Sequence, residues 1–134
     1  MGKICLQSFA VFSRHIMLMK DIRIKYIYNL DDIKDEWLQL EKQAVLYYFQ
    51  SFLWLSQWYY NIGKNRRSYP LIVAVYNNQT IIALFPFCIE RHYGIFRVLT
   101  WMGGKFADYN APVFSNLLSE DERENICVMV TKEL

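Results

Sequence analysis

The residues best suited to chemistry in this chain are Asp108, Tyr109 and Asn110, which follow one another in a single loop. A carboxylate can act as a general base and a neighbouring phenol as a proton donor when both reach a reacting atom. The loop follows a strand end and two glycines, Gly103 and Gly104, where polar groups can converge on a ligand. A plainer reading has Asp108 and Asn110 folding the loop through side chain-to-backbone bonds, and it carries the greater weight. Trp54, Trp58 and Trp101 form a second set, able with Asn110 to line a substrate groove. At helical and strand spacing such rings are more often core. Cys5, Cys88 and Cys127 are far apart, with no C-x-x-C or Cys/His ligand spacing, so a zinc site is not expected. Cys88 sits in an apolar run and reads as core, not as a nucleophile. No G-x-S-x-G, P-loop or G-x-G-x-x-G occurs.

The elements that must position these residues are legible from periodicity and punctuation. Ile22, Ile24, Tyr26 and Tyr28 alternate with Arg23, Lys25 and Ile27, which predicts a strand. Asp31 and Asp32 supply an N-cap and first-turn charge for a helix whose apolar face is Ile33, Trp37, Leu40 and Ala44. Ser51 is expected to cap a second helix from Phe52 to Ile62, with Gly63 ending it in the left-handed conformation. Lys64-Asn65-Arg66-Arg67-Ser68 reads as a solvated loop; it offers a phosphate contact, but so short a basic run is more often only surface.

Three antiparallel strands follow. Leu71–Tyr76 is a near-continuous apolar run, hence buried on both faces. Asn77-Asn78 signals a two-residue turn into Thr80–Glu90, and Pro86 within that run predicts a bulge or an edge. His92-Tyr93-Gly94 turns the chain into Ile95–Trp101, and Ala111–Phe114 is a short extended piece. Ser119 with Glu122 three residues on is a capping box, opening a helix that aligns Ile126, Met129, Val130 and Leu134. A stripe running to the last residue normally packs under something that follows, so the domain is expected to be cut short.

Composition bounds the function classes. Of the 134 residues 54% are hydrophobic, above the ~45–50% usual for soluble domains, and 17% are aromatic, which excludes disorder. A net charge of +2, with basic and acidic residues spread along the chain, lacks the basic stripe of a nucleic-acid binder. The scattered cysteines suit a reduced, cytoplasmic protein. The apolar stretch Ile4–Met19 is interrupted by Gln7, Arg14 and His15, too broken for a transmembrane segment and poor as a signal peptide. Leu6 breaks the myristoylation pattern after Met1-Gly2, and Lys20-Asp21-Ile22 opens the first orderly segment, so translation is expected to start at Met17 or Met19.

Four segments together carry a family resemblance: Phe49-Gln50-Ser51 with Trp54-Leu55 and Trp58; Pro70-Leu71-Ile72-Val73; Ile82-Ala83-Leu84-Phe85-Pro86-Phe87; and Leu99 to Asn110, with Trp101-Met102-Gly103-Gly104 and then Ala107-Asp108-Tyr109-Asn110-Ala111-Pro112. In this order they resemble the N-terminal part of the cellulose-biosynthesis-type (CelD/BcsL-like) acetyltransferases, a branch of the GNAT superfamily. The match runs from about Leu30 to the C-terminus and leaves residues 1–20 as an unmatched extension. The resemblance implies a partial α/β (α+β) GNAT-like fold over 21–134: strand, helix, helix, three-strand antiparallel meander, helix, then truncation. It also implies direct acyl transfer from acetyl-CoA or another acyl-CoA to an amine or hydroxyl. In such a unit the pyrophosphate rests on amides at the helix after the meander. Here Glu120, Asp121, Glu122 and Glu124 stand at that helix start, and four carboxylates around a pyrophosphate oppose binding by several kcal/mol at short range. Arg91-His92-Tyr93-Gly94-Ile95-Phe96 half-resembles the R-x-x-G-x-G/A pyrophosphate loop, but it ends in Phe and lies in a hairpin turn. No cofactor site is therefore expected in this chain.

Three readings remain open. The chain is an N-terminal half or fragment of a GNAT-type N- or O-acyltransferase, inactive alone. Or it is a complementing subunit that docks a separately encoded C-terminal GNAT half and shapes the acceptor pocket with Trp54, Trp58 and Asp108. Or it is a small binding module whose aromatic surface recognises a glycan or a partner protein.

Overall fold

The computed structural model describes residues 21–134, so the readings of the N-terminal extension lie outside the described residues. Strand β1 (Ile22–Ile27) leads through a 3₁₀ turn into helix α1 (Lys34–Glu41) and then helix α2 (Phe52–Trp58). Strands β2 (Tyr69–Asn77), β3 (Thr80–His92) and β4 (Phe96–Trp101) form the meander, followed by β5 (Val113–Phe114) and helix α3 (Glu120–Glu133). All pairings are antiparallel, in the order β1-β2-β3-β4, with β5 also on β3. The chain is a mixed α+β fold.

Residues 71–76 and 81–86 are buried without alternation because helices cover both faces of the sheet. On one face Ile72, Ala74, Leu84 and Cys88 pack against Leu30, Ile33, Trp37 and Leu40 and against Phe52, Leu55 and Trp58 of α2. On the other, Val73, Val75, Ala83 and Phe85 pack against Leu118 and against Ile126 and Val130 of α3. The apolar stripe of the last helix is thus covered by the sheet itself. Burying Ile126 and Val130 contributes about 1.5–3 kcal/mol each, while Leu134 stays exposed.

The caps follow the sequence with small displacements. Asn29, not Asp31, caps the first turn, its side chain accepting the Asp31 N–H. Ile33, Trp37 and Leu40 are buried as the helical spacing requires, but Ala44 lies past the helix, bridged to Ser115. Ser51 Oγ accepts the Trp54 N–H at 3.2 Å. The Ser119–Glu122 box closes in both directions, at 3.3 and 2.8 Å.

Two expectations are refined by packing. Gly63 does not end α2 in the left-handed region; α2 runs on into a π-turn over Tyr59–Gly63, and Arg67, at φ 59°, takes the left-handed position. Gly63 is needed for space, since a Cβ there would lie 2.9 Å from the Trp58 ring. Pro86 sits inside a continuous β3 paired to Ile72, and the register shift falls at Val75/Tyr76. The Pro86 carbonyl accepts the Met102 N–H, so its missing N–H points to the same side, where β4 leaves the sheet and β5 has not yet joined. The proline marks the gap from which residues 102–112 depart.

Candidate functional site

The excursion between β4 and β5 closes one end of the α1/α2 face. Gly103 adopts φ 88° and ψ −34°, and Gly104 φ 47°. A Cβ on Gly103 would meet the Trp54 ring at 2.8 Å and Ala107 Cβ at 3.1 Å, so the loop lies flat against α2 only because that residue is glycine. Gln50 fastens the loop from below. Its buried amide donates to the carbonyls of Ala111 (3.2 Å) and Pro112 (2.9 Å) and accepts the Tyr47 N–H (2.8 Å).

Between this loop, the π-turn and the end of the meander lies a cavity of about 350 Å³, lined by Trp58, Arg66, Glu90, His92, Thr100, Gly103, Gly104, Lys105 and Phe106. That volume is in the range of small-molecule pockets, and π-turns recur at functional sites. Arg66 and Lys105 flank the Phe106 ring, 5.1 and 5.6 Å from its centre, so two cations gather at one aromatic wall. Glu90 reaches His92 Nε2 at 3.5 Å through one oxygen and accepts the Ser68 hydroxyl at 3.1 Å through the other. Glu90 and His92 thus form a carboxylate–imidazole pair at the cavity wall, anchored through Ser68, the residue before β2.

The residues singled out by sequence are distributed unevenly around this cavity. Trp58 lines it, and Trp54 stands behind it under Gly103 and edge-on to Phe49. Trp101 belongs to the opposite face of the sheet, packed on Phe87 at 4.5 Å with the rings tilted, so the three tryptophans do not share a groove. Asn110 donates to the Gly104 carbonyl at 3.2 Å and so folds the loop. Tyr109 packs its ring on Tyr47 at 4.4 Å, and Asp108 is exposed. The triplet shapes the loop and is not drawn into the cavity. Cys88 is fully buried against Thr100, and burial pushes its thiol up to about 11, as suits a core cysteine.

Sequence reasoning missed Glu90 and His92 as a pair. Their signal was present, because residues i and i+2 of a strand share a face. Comparison with protein families, curated proteins and solved structures finds no match to this chain. Among the described residues no group of three or more His, Cys, Asp or Glu side chains is arranged to hold a metal ion, and no helix is long and apolar enough to cross a membrane.

A second polar cluster lies at the far end of the same face. Tyr76 donates to Glu36, and Lys25 stands 4.6 Å from the centre of the Tyr76 ring. Burial, and then the Glu36 hydrogen bond, hold the Tyr76 phenol above the ordinary tyrosine value. The pair ties α1 to β2.

Proposed function

We propose that this chain is the acceptor-binding, N-terminal part of a GNAT-type acyltransferase, working with a C-terminal GNAT half that binds the acyl-CoA. The observation that carries the reading is the contrast between two places. The start of α3, where such a unit would seat a pyrophosphate, has its Glu122 N–H taken by the Ser119 hydroxyl and carries Glu120, Asp121 and Glu122 in its first turn. The cavity beside Trp58 instead gathers cations, an aromatic wall and an oriented histidine. Strand, two helices and meander, in that order, agree with the resemblance carried by Phe49 to Pro112.

In this reading the acceptor amine or hydroxyl enters beside Trp58 and Phe106, and His92, held by Glu90, removes its proton. The acceptor atom bonds to the acyl carbon, the thioester C–S bond breaks, and the thiolate leaves on the partner half, taking up a proton. His92 has the role in preference to Asp108 because it lines a cavity and has an orienting carboxylate.

Calorimetry tests the division of labour. The chain alone is expected to show no heat with acetyl-CoA, and micromolar binding by it would overturn the reading. Co-expressed with a candidate C-terminal GNAT half, it is expected to support transfer of labelled acetyl groups, lost in His92→Ala. A second reading, a binding module for a glycan or protein, draws on one observation: the packed Tyr47–Tyr109 pair and neighbouring Tyr48 are all exposed. Glycan-array binding lost in Tyr47→Ala would favour it.

A further inference from the structure

Beyond His92, the tip of the β3–β4 hairpin carries features that neither the core nor the cavity uses. Tyr93, Gly94 and Ile95 connect the paired His92 and Phe96, in a β-turn closed by the Ile95 N–H to the His92 carbonyl, with Tyr93 at φ 54° and Gly94 at φ 73°. Both central positions are left-handed, the geometry that favours Asn-Gly. A tyrosine stands where asparagine would be cheaper, and a bulky residue at positive φ is a local cost. Its ring packs on nothing in return. Tyr93 is 92% exposed, Ile95 82% and Phe96 63%.

Behind this tip, Arg91 and Arg97 are direct cross-strand partners. Like charges directly opposite each other destabilise a strand pair, and no salt bridge compensates either guanidinium among the described residues. With Tyr69 and Ile89 they line a cavity of about 340 Å³ on the face that α3 covers further along. From Arg91 through Ala107 the sequence contains no acidic residue. An exposed apolar turn backed by two guanidiniums without a salt bridge among the described residues is complementary to one kind of surface: hydrocarbon beneath a layer of anionic phosphates.

We propose that the β3–β4 hairpin docks the protein on an anionic membrane, with Tyr93, Ile95 and Phe96 inserted at the interface and a lipid phosphate between Arg91 and Arg97. The docking is independent of acyl transfer.

Co-sedimentation of the full chain with vesicles tests it. Pelleting is expected with phosphatidylcholine vesicles containing phosphatidylglycerol, not with phosphatidylcholine alone, and is expected to weaken as salt rises. Arg91→Gln with Arg97→Gln is expected to reduce the affinity roughly thirtyfold, at about 1 kcal/mol per basic residue near the surface. Tyr93→Ser with Ile95→Ser is expected to abolish pelleting while the melting temperature is kept, since both side chains are in solvent. Equal pelleting on neutral vesicles, none on either, or pelleting indifferent to the arginine pair overturns the proposal. So does displacement by millimolar inorganic phosphate, which would make the arginine cavity a site for a free anion. A dimer in analytical ultracentrifugation that Ile95→Ser dissociates, with vesicle binding absent, would assign the tip to self-association and also overturn it.

Discussion

Gly103 and Gly104 are neighbours with positive φ, yet alanine should cost very different amounts at the two. At Gly104, φ is 47° and nothing lies within 4 Å of a Cβ, so Gly104→Ala costs only the left-handed backbone. That is about 1–2 kcal/mol, offset by roughly 0.4–1 kcal/mol from the stiffer unfolded chain, leaving about 1 kcal/mol. At Gly103 the φ of 88° is joined by contacts of 2.8 Å to the Trp54 ring and 3.1 Å to Ala107 Cβ. Overpacking of this kind adds about 1–3 kcal/mol, for a total of roughly 2–4 kcal/mol. The assay is urea denaturation followed by tryptophan fluorescence, with Trp54→Leu as the second arm of a double-mutant cycle. Replacing Trp54 should recover part of the Gly103→Ala loss and none of the Gly104→Ala loss, because only the first residue touches the ring. Equal costs for the two glycines, or no coupling between Gly103 and Trp54, would refute the idea that the loop is pressed onto α2 at that one position.

Gln50→Ala should destabilise by about 2–4 kcal/mol in a chemical melt, since it strips the Gln50 partner from the backbone groups of Tyr47, Ala111 and Pro112. Gln50→Glu should be no better at pH 7, because a carboxylate would face two carbonyl oxygens, and should improve on acidification. With its thiol pushed up to about 11, Cys88 holds only about one thiolate in a thousand at pH 8, so Ellman's reagent should spare it until the chain unfolds. The folded state holds the Tyr76 phenol neutral past the ordinary value of 10.0. The resulting stability is full below that pH and is lost as pH rises beyond it, because the unfolded chain ionises first. Tyr76→Phe should flatten the alkaline fall in melting temperature while costing about 1.5–3 kcal/mol near neutrality through the lost bond to Glu36.

Local physics made much of the fold legible in the sequence. The strand opened by Ile22, the Ser51 cap and the Ser119–Glu122 box each depend on residues within one turn or one strand and stand where the spacing places them, although β1 ends at Ile27 and its alternation lapses at the exposed Tyr26. Pro86 declared a missing donor, which is a property of the residue alone. What that donor would have faced depended on where β4 ends and β5 begins, a relation across nearly thirty residues of chain. The same holds for the cavity. Glu90 and His92 are linked by strand parity on β3, but no spacing rule connects that pair to Arg66 or Lys105, and only the folding of the excursion over α2 brings the three segments together. Trp101 shares a residue type with Trp54 and Trp58 but faces the other side, because strand parity, not composition, assigns a side chain to a face. The sequence by itself determined the succession of elements, the Ser51 and Ser119 caps and the apolar identity of the core. Tertiary structure decided which polar residues meet across elements, because spacing relates side chains only within one strand or helix and distant segments converge only when the backbone that bears them has been packed.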